Sequence, residues 1–382
     1  MNAVPYARLS GFYFLYFAGI AAFVPYWSLY LDARGLEPVA IGALMSLWYG
    51  TRMFAPSLWG WAAARSARPV LWLRAGTILT LASLLPLLMS LPLTALAWTM
   101  GAFCAFFNAI LPQFESLTLS HLTGRTERYG PIRVWGSIGF IVVVTGLGAI
   151  FERVSPLRLP LLMLPLFALL IAASWKVDYG SVPAHAEGAP GFGRLVFRRE
   201  VLVFLALAFL MQVSFGPYNT FFSLYLKENG YRPAMLGTFW AIGVIVEIAV
   251  FAFAAPLLRR IPARRMIVLA LLLAALRWTV TGLAPRNLAL MVLAQLSHAI
   301  IFGGFFAACM QLMAEYFPGR ASGHGQALLA GFAWGFGGVL GALIAGYAWE
   351  HGGGGTAFVI AGGAALFAAA IALRTFGRPV KA

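Results

Sequence analysis

Six residues able to hold or move charge sit inside long apolar stretches of this chain: Arg52, Glu115, Arg133, Glu247, Arg277 and His298. A charge at the centre of a bilayer costs at least about 2.5–3.5 kcal/mol on insertion scales, so each needs a partner or a water-filled cavity. Such residues lock helices together as fixed ion pairs, bind a polar solute, or take up and release a proton. Glu115 and Arg133 are 133 − 115 = 18 positions apart and flank a short loop, a spacing that brings them to one depth on antiparallel helices. An Arg grips a carboxylate with its planar fork, so Glu115 is either the resting partner of Arg133 or a competitor with a solute for it. His298 is either a proton carrier or a neutral ring bonded to a helix carbonyl. Three arginines against two glutamates leave one unmatched positive charge, which favours a monoanion, although Glu315 could also enter the balance.

The elements that position these residues are helices. Of 382 residues, 61% are hydrophobic and only 10% charged, against about 25% charged in a soluble domain. The apolar runs are unbroken, without the dyad alternation of a barrel strand, and inside hydrocarbon an unbroken run satisfies its backbone only as a helix. The runs predict twelve helices, at 9–31, 41–63, 69–91, 95–120, 129–151, 156–176, 200–226, 234–258, 264–284, 287–315, 321–348 and 353–375. The polar stretch between the sixth and seventh runs divides the chain into 1–177, a linker 178–199, and 200–382. The first run is long for a signal peptide and no small-residue cleavage site follows it, which predicts that it is retained.

The two halves repeat. "PYWSLYLDARGLEPVAIG" is echoed by "FFSLYLKENGYRPAMLG", and adding 195 maps Ser28 to Ser223, Tyr30 to Tyr225, Gly35 to Gly230, Pro38 to Pro233 and Gly42 to Gly237. The same offset maps Arg52 onto Glu247. Two such halves predict parallel six-helix bundles with a binding path near mid-bilayer. Loop charges set the orientation. One side takes eighteen Lys and Arg residues, among them Arg65, Arg68, Arg125, Arg128, Arg194, Arg198, Arg199, Arg259, Arg260, Arg320, Arg378 and Lys381. The other takes six: Arg34, Arg153, Arg158, Lys227, Arg232 and Arg286. The positive-inside rule puts both termini and the linker in the cytoplasm.

Several function classes are disfavoured. The net charge of +15 is dispersed over short loops, not clustered as a phosphate-tracking surface requires, so no nucleic-acid partner is expected. Cys104 and Cys309 form no CxxC pair, and neither HExxH nor a P-loop occurs, so no metal site, no catalytic residue and no nucleotide-driven cycle is expected. The aromatic residues Tyr26, Trp27, Trp48, Tyr49, Phe140, Tyr218, Phe221 and Phe222 cluster on helices expected to line the path. A few of them facing it would suit a ring-bearing or amphipathic solute.

"PQFESLTLSHLTGRTERYGPIRVWGSIGF" resembles the oligosaccharide:proton symporter branch of the major facilitators, and is closer still to the phenylpropionate permease-like family. "FVPYWSLYL", "VEIAVF", "ALRW" and "QLSHAIIFGGF" fit the latter, so the resemblance covers essentially the whole chain. It implies the major facilitator fold, with a small-molecule substrate held at Glu115 and Arg133 and with Phe140 and His298 at matching positions; Arg52, as an intramembrane charge, and Tyr26, as an aromatic on a path-lining helix, join the expected binding set. Phe140 stands where a Trp of that branch stacks on sugar. For proton coupling it implies Arg277 and His298, with Glu115 and Glu247 as the available carboxylates. Two departures matter. The acid expected three residues beyond His298 is Ile301, which argues against lactose, and Ala64 replaces the Asp of the general facilitator motif. The expectation is a monomeric, multi-pass protein of the bacterial inner membrane, without cofactor, importing an aromatic or other monocarboxylate with a proton. A sugar or nucleoside symporter and a drug/proton antiporter are the alternatives. With both termini cytoplasmic, a reporter active only in the cytoplasm should work after Ala382 and when inserted near Glu187. A periplasm-only reporter working at either place contradicts the orientation.

Overall fold

The computed structural model describes residues 4–123, 125–180, 192–319 and 321–376, without the side chains of Thr126 and of 250–260. Half of the expected linker, 181–191, lies outside the described residues, as do Arg320, Arg378, Lys381, the side chains of Arg259 and Arg260, and both reporter positions. The described residues contain no strand. Their helices are α1 Tyr6–Ala33, α2 Pro38–Ala64, α3 Val70–Leu88, α4 Leu93–Ser120, α5 Tyr129–Ile150 and α6 Pro156–Ser174. Then follow a short turn at Phe192–Val196, α7 Arg199–Glu228, α8 Pro233–Arg260, α9 Ala263–Leu283, α10 Leu288–Tyr316, α11 at 321–352 and α12 at 354–376. Gly353, at φ 78° and ψ 171°, separates the last two in a conformation only glycine adopts easily. Nine stretches among the described residues are by themselves long and apolar enough to cross a membrane, with α11 and α12 running as one of them. The twelve-helix expectation holds, each end within four residues of its predicted place. Large apolar side chains such as Trp98, Leu283 and Phe367 are left exposed, as lipid-facing surfaces require.

The repeat is visible in hydrogen bonds. Gly35 and Gly230 both take positive φ, 78° and 87°, and end their helices alike. Leu36 N–H bonds back to Leu31 O and Tyr231 N–H to Leu226 O, the six-to-one closure of a helix C-terminus. Tyr30 Oη donates to Leu87 O at 3.1 Å, and Tyr225 Oη donates to Gly282 O at 3.1 Å, both donor and acceptor being offset by 195.

The contacts gather the chain into two compact units. The first takes the described residues through Leu36, those from Gly50 to Gly180, and Arg232–Thr238. The second takes Glu37–Tyr49, the described residues from Phe192 to Tyr231, and those from Phe239 on. Each unit therefore includes a helix start borrowed from the other half of the sequence. In the first unit Glu152, just beyond α5, accepts the Ala234 N–H at the start of α8 (3.1 Å) and Arg232 Nη2 (3.1 Å). In the second, Glu350 near the end of α11 accepts the Val39 N–H at the start of α2 (3.0 Å). A carboxylate satisfies the orphan donors of a helix N-terminus and opposes its dipole. Missing side chains permit both crossings: a Cβ on Gly237 would overlap the Val144 carbonyl, and one on Gly42 would stand 2.7 Å from the Ala342 carbonyl.

Inside the first unit, α1 lies against α5 closely enough that a Cβ on Gly139 would overlap the Phe14 carbonyl. Phe23, Phe103, Phe107 and Phe167 fill its core, with Phe167 edge to face against Phe103 and Phe107. In the second unit Gly216 of α7 meets the Gly341 backbone of α11 in the same manner. The Ala234 amide and then Arg232 hold the Glu152 carboxyl below its ordinary range. Because the folded value is depressed, its contribution to stability is present above the unfolded value of about 4.3 and is lost as pH falls through the folded one. Glu152→Gln should therefore melt below wild type at pH 7, and the gap should close as the medium is acidified towards the folded value.

Candidate functional site

Among the described residues each unit holds a cluster of the charged and polar groups singled out above. In the second unit the cluster is centred on Arg277 of α9, which is 2% exposed. Its Nη1 stands 2.8 Å from His298 Nδ1 and its Nη2 donates to Gln295 Oε1 at 3.0 Å. The guanidinium lies over the rings of Tyr218 (4.5 Å) and Trp278 (4.4 Å), an attractive arrangement for a desolvated cation. Tyr218 Oη of α7 donates to the same Gln295 oxygen at 3.4 Å. On the other side of the imidazole, His298 Nε2 is 3.9 Å from Glu247 Oε2 of α8.

Hydrogen-bond roles follow from the donor inventory. A guanidinium has no acceptor, so Nδ1 of His298 must accept, and the proton of the neutral ring sits on Nε2, facing Glu247. The three helices thus carry an ordered row of carboxylate, imidazole and guanidinium. The local sequence permits it because Gln295 and His298, three apart on α10, share a face. Directly after His298 the helix widens into a π segment, Ala299–Gly304, a rare form that re-aims side chains. Ile301 is buried within that segment. Gly243, one turn before Glu247, leaves open a position whose Cβ would stand 3.5–3.6 Å from Gln295 Oε1, His298 Cδ2 and Tyr218 Oη.

In the first unit the cluster joins α1, α4 and α5. Glu115 Oε1 accepts from Tyr129 Oη at 3.3 Å. Arg133, one turn after Tyr129, lays its guanidinium over the Phe17 ring (3.9 Å) and near the Tyr13 ring (5.4 Å). A Cβ on Gly136 would press into Phe17 and Arg133, so that glycine makes the stack possible. Among the described residues Arg133 makes no ion pair within 4.0 Å, so Glu115 and Arg133 are neighbours without being a direct pair. The resting acceptance of Glu115 comes from a phenol.

The remaining expected residues fall as follows. Arg52 is partly buried in the first unit and does not lack a partner. Beside it Thr51 receives the Asn108 amide at 3.0 Å, tying α2 to α4. Phe140 is 8% exposed on α5. Tyr26 is fully buried, donates to Val144 O and packs its ring on Phe151. A ligand reaching it would first have to displace that packing. Glu315 is engaged with Arg264 at 3.3 Å, outside both clusters. Sequence reading missed Gln295, Tyr129, Tyr13 and Phe17, none of which carries a formal charge at neutral pH. Helical spacing could have found two of them, since Tyr129 is one turn from Arg133 and Gln295 one turn from His298.

The model of the MFS_1-like family matches residues 6–360. The chain is 28% identical over 313 residues to the probable 3-phenylpropionic acid transporter of Escherichia coli, covering 81% of each. It is 31% identical over 292 residues to the maltose permease of Geobacillus stearothermophilus, covering 72% of this chain and 70% of that one. The crystal structure of the nucleoside transporter NupG superposes with a TM-score of 0.85 at 17% identity, over 98% of this chain and 99% of that one.

Proposed function

This chain belongs to the MFS_1-like family of major facilitator transporters, and from that premise we propose that it is a proton-coupled symporter for an aromatic or other monocarboxylate. The observation that carries the substrate class is Arg133: a guanidinium stacked on Phe17, beside Tyr13, and not paired with Glu115. Such a cation presents in-plane N–H donors to an incoming carboxylate while the rings offer apolar contact to an attached aryl group. The similarity to a probable 3-phenylpropionic acid transporter agrees with that chemistry. Similarity to a maltose permease favours a second reading, sugar symport, in which Glu115 and Tyr129 receive hydroxyl groups.

The coupling half of the proposal rests on Glu247. It faces an imidazole that can donate to its carboxylate form, so gain or loss of a proton at Glu247 changes what His298 and Arg277 must do. Uptake across a bacterial inner membrane, with both termini cytoplasmic and the chain working as a monomer, completes the reading.

Arg133→Lys keeps the charge and loses the fork, so it should weaken carboxylate affinity about 10- to 100-fold. Thermal-shift titration of the purified protein with aryl carboxylates, sugars and nucleosides checks this. Normal binding and transport in both Arg133→Lys and Glu115→Gln sinks the assignment, and stabilisation by sugars alone selects the second reading. Glu247→Gln should abolish pH-gradient-driven accumulation in proteoliposomes while substrate exchange, which needs no net proton movement, continues. Accumulation at wild-type level removes Glu247 from the coupling role and moves it to Glu115 or His298.

A further inference from the structure

Gln295 is 1% exposed, uncharged and central to the second unit's cluster. Its single oxygen accepts from two different helices, Arg277 Nη2 of α9 at 3.0 Å and Tyr218 Oη of α7 at 3.4 Å. Arg277 is thereby held at two points, by Gln295 at one terminal nitrogen and by His298 at the other, with aromatic faces of Tyr218 and Trp278 against its plane. The direction in which Nη1 points is what decides the imidazole. With a guanidinium N–H aimed at Nδ1, that nitrogen accepts, and the ring's own proton is confined to Nε2, the side of Glu247.

We infer that Gln295 is a positioning residue of the proton site, fixing the His298 tautomer through Arg277. The inference rests on the reading of Glu247 and His298 as the coupling pair and adds the group that sets their hydrogen-bond direction. The charged and titratable groups facing His298 are Arg277 from α9, Glu247 from α8 and Tyr218 from α7. Among Arg277, His298, Glu247, Tyr218 and Gln295, Gln295 is the one that neither carries a charge nor titrates. Its amide is a fixed dipole, and a fixed dipole suits a residue whose task is to hold direction while neighbours change charge. Without it, Arg277 retains the Tyr218 and Trp278 faces but loses the acceptor that sets its rotation. Nη1 then swings from Nδ1, and both imidazole nitrogens become open to a proton.

The test uses the full-length protein with 15N-labelled histidine in detergent. The chain has five histidines, and the His298 signal is identified by its loss in His298→Gln. The two ring nitrogens report protonation separately, so the tautomer is read directly. Wild type should show Nδ1 unprotonated and Nε2 protonated at pH 7.5. Gln295→Leu should convert this to a mixture of tautomers and lower gradient-driven accumulation about tenfold, the scale of a lost hydrogen bond to a charged group. Gln295→Glu, which keeps the acceptor, should restore the single tautomer. If the Leu variant does not fold, Gln295→Met keeps the length without the acceptor and decides the same question. A His298 signal in Gln295→Leu or Gln295→Met identical to wild type overturns the inference, even if accumulation falls, because a merely structural role would lower transport without moving the tautomer. Wild-type accumulation in Glu247→Gln would instead remove the coupling assignment, leaving the tautomer measurement to decide Gln295 by itself.

Discussion

A guanidinium with almost no exposed surface governs the second half of this protein. Arg277 cannot shed its proton and cannot reach water, so its surroundings must supply acceptors, ring faces and a counter-charge. Gln295 and His298 supply the acceptors, and Tyr218 and Trp278 the faces. Glu247 supplies the counter-charge at one remove, through the imidazole. Interposing His298 keeps the two charges from collapsing into a direct pair. A direct pair would be a lock, whereas a row with a neutral ring in its middle can change its proton content. The first unit shows the same avoidance, with Tyr129 taking Glu115 and aromatic rings taking Arg133.

Both arrangements depend on close backbones. Gly139 lets α1 approach α5 far enough for Phe17 and Tyr13 to reach Arg133, and Gly216 lets α7 approach α11. Lipid offers no hydrophobic drive between helices, so small residues at the crossings do the work of association. The prolines act on the same plan: Pro38 and Pro233 start α2 and α8 without an amide that would need a partner.

Much of this was legible in the sequence. Unbroken apolar runs gave twelve helices, and the 195-residue offset forecast paired turns that recur down to Tyr30 and Tyr225 and their carbonyl partners. Intramembrane charge pointed to Arg277, His298 and Glu247 of the second cluster. Among the uncharged members, Gln295 and Tyr129 were open to helical spacing, whereas Tyr13 and Phe17 look like any aromatic of an apolar helix until the neighbouring helix is in place. Nor does a one-dimensional pattern of apolar residues reveal the π segment after His298. The sequence left Glu115 open between partner of Arg133 and competitor for it, and did not reveal the phenol one turn from Arg133 that donates to Glu115.

The borrowed helix starts bear on ancestry. Glu350 lies three residues beyond the position that the 195-residue offset assigns to the counterpart of Glu152, nearly one helical turn, and so keeps the same face. Each carboxylate serves the helix start that belongs to the opposite repeat. A half-length chain carrying one such glutamate would gain this cap on its second helix by pairing with another copy, each capping the other. Fusing two such copies would leave this reciprocal pattern, with the three-residue displacement as a trace of their later divergence.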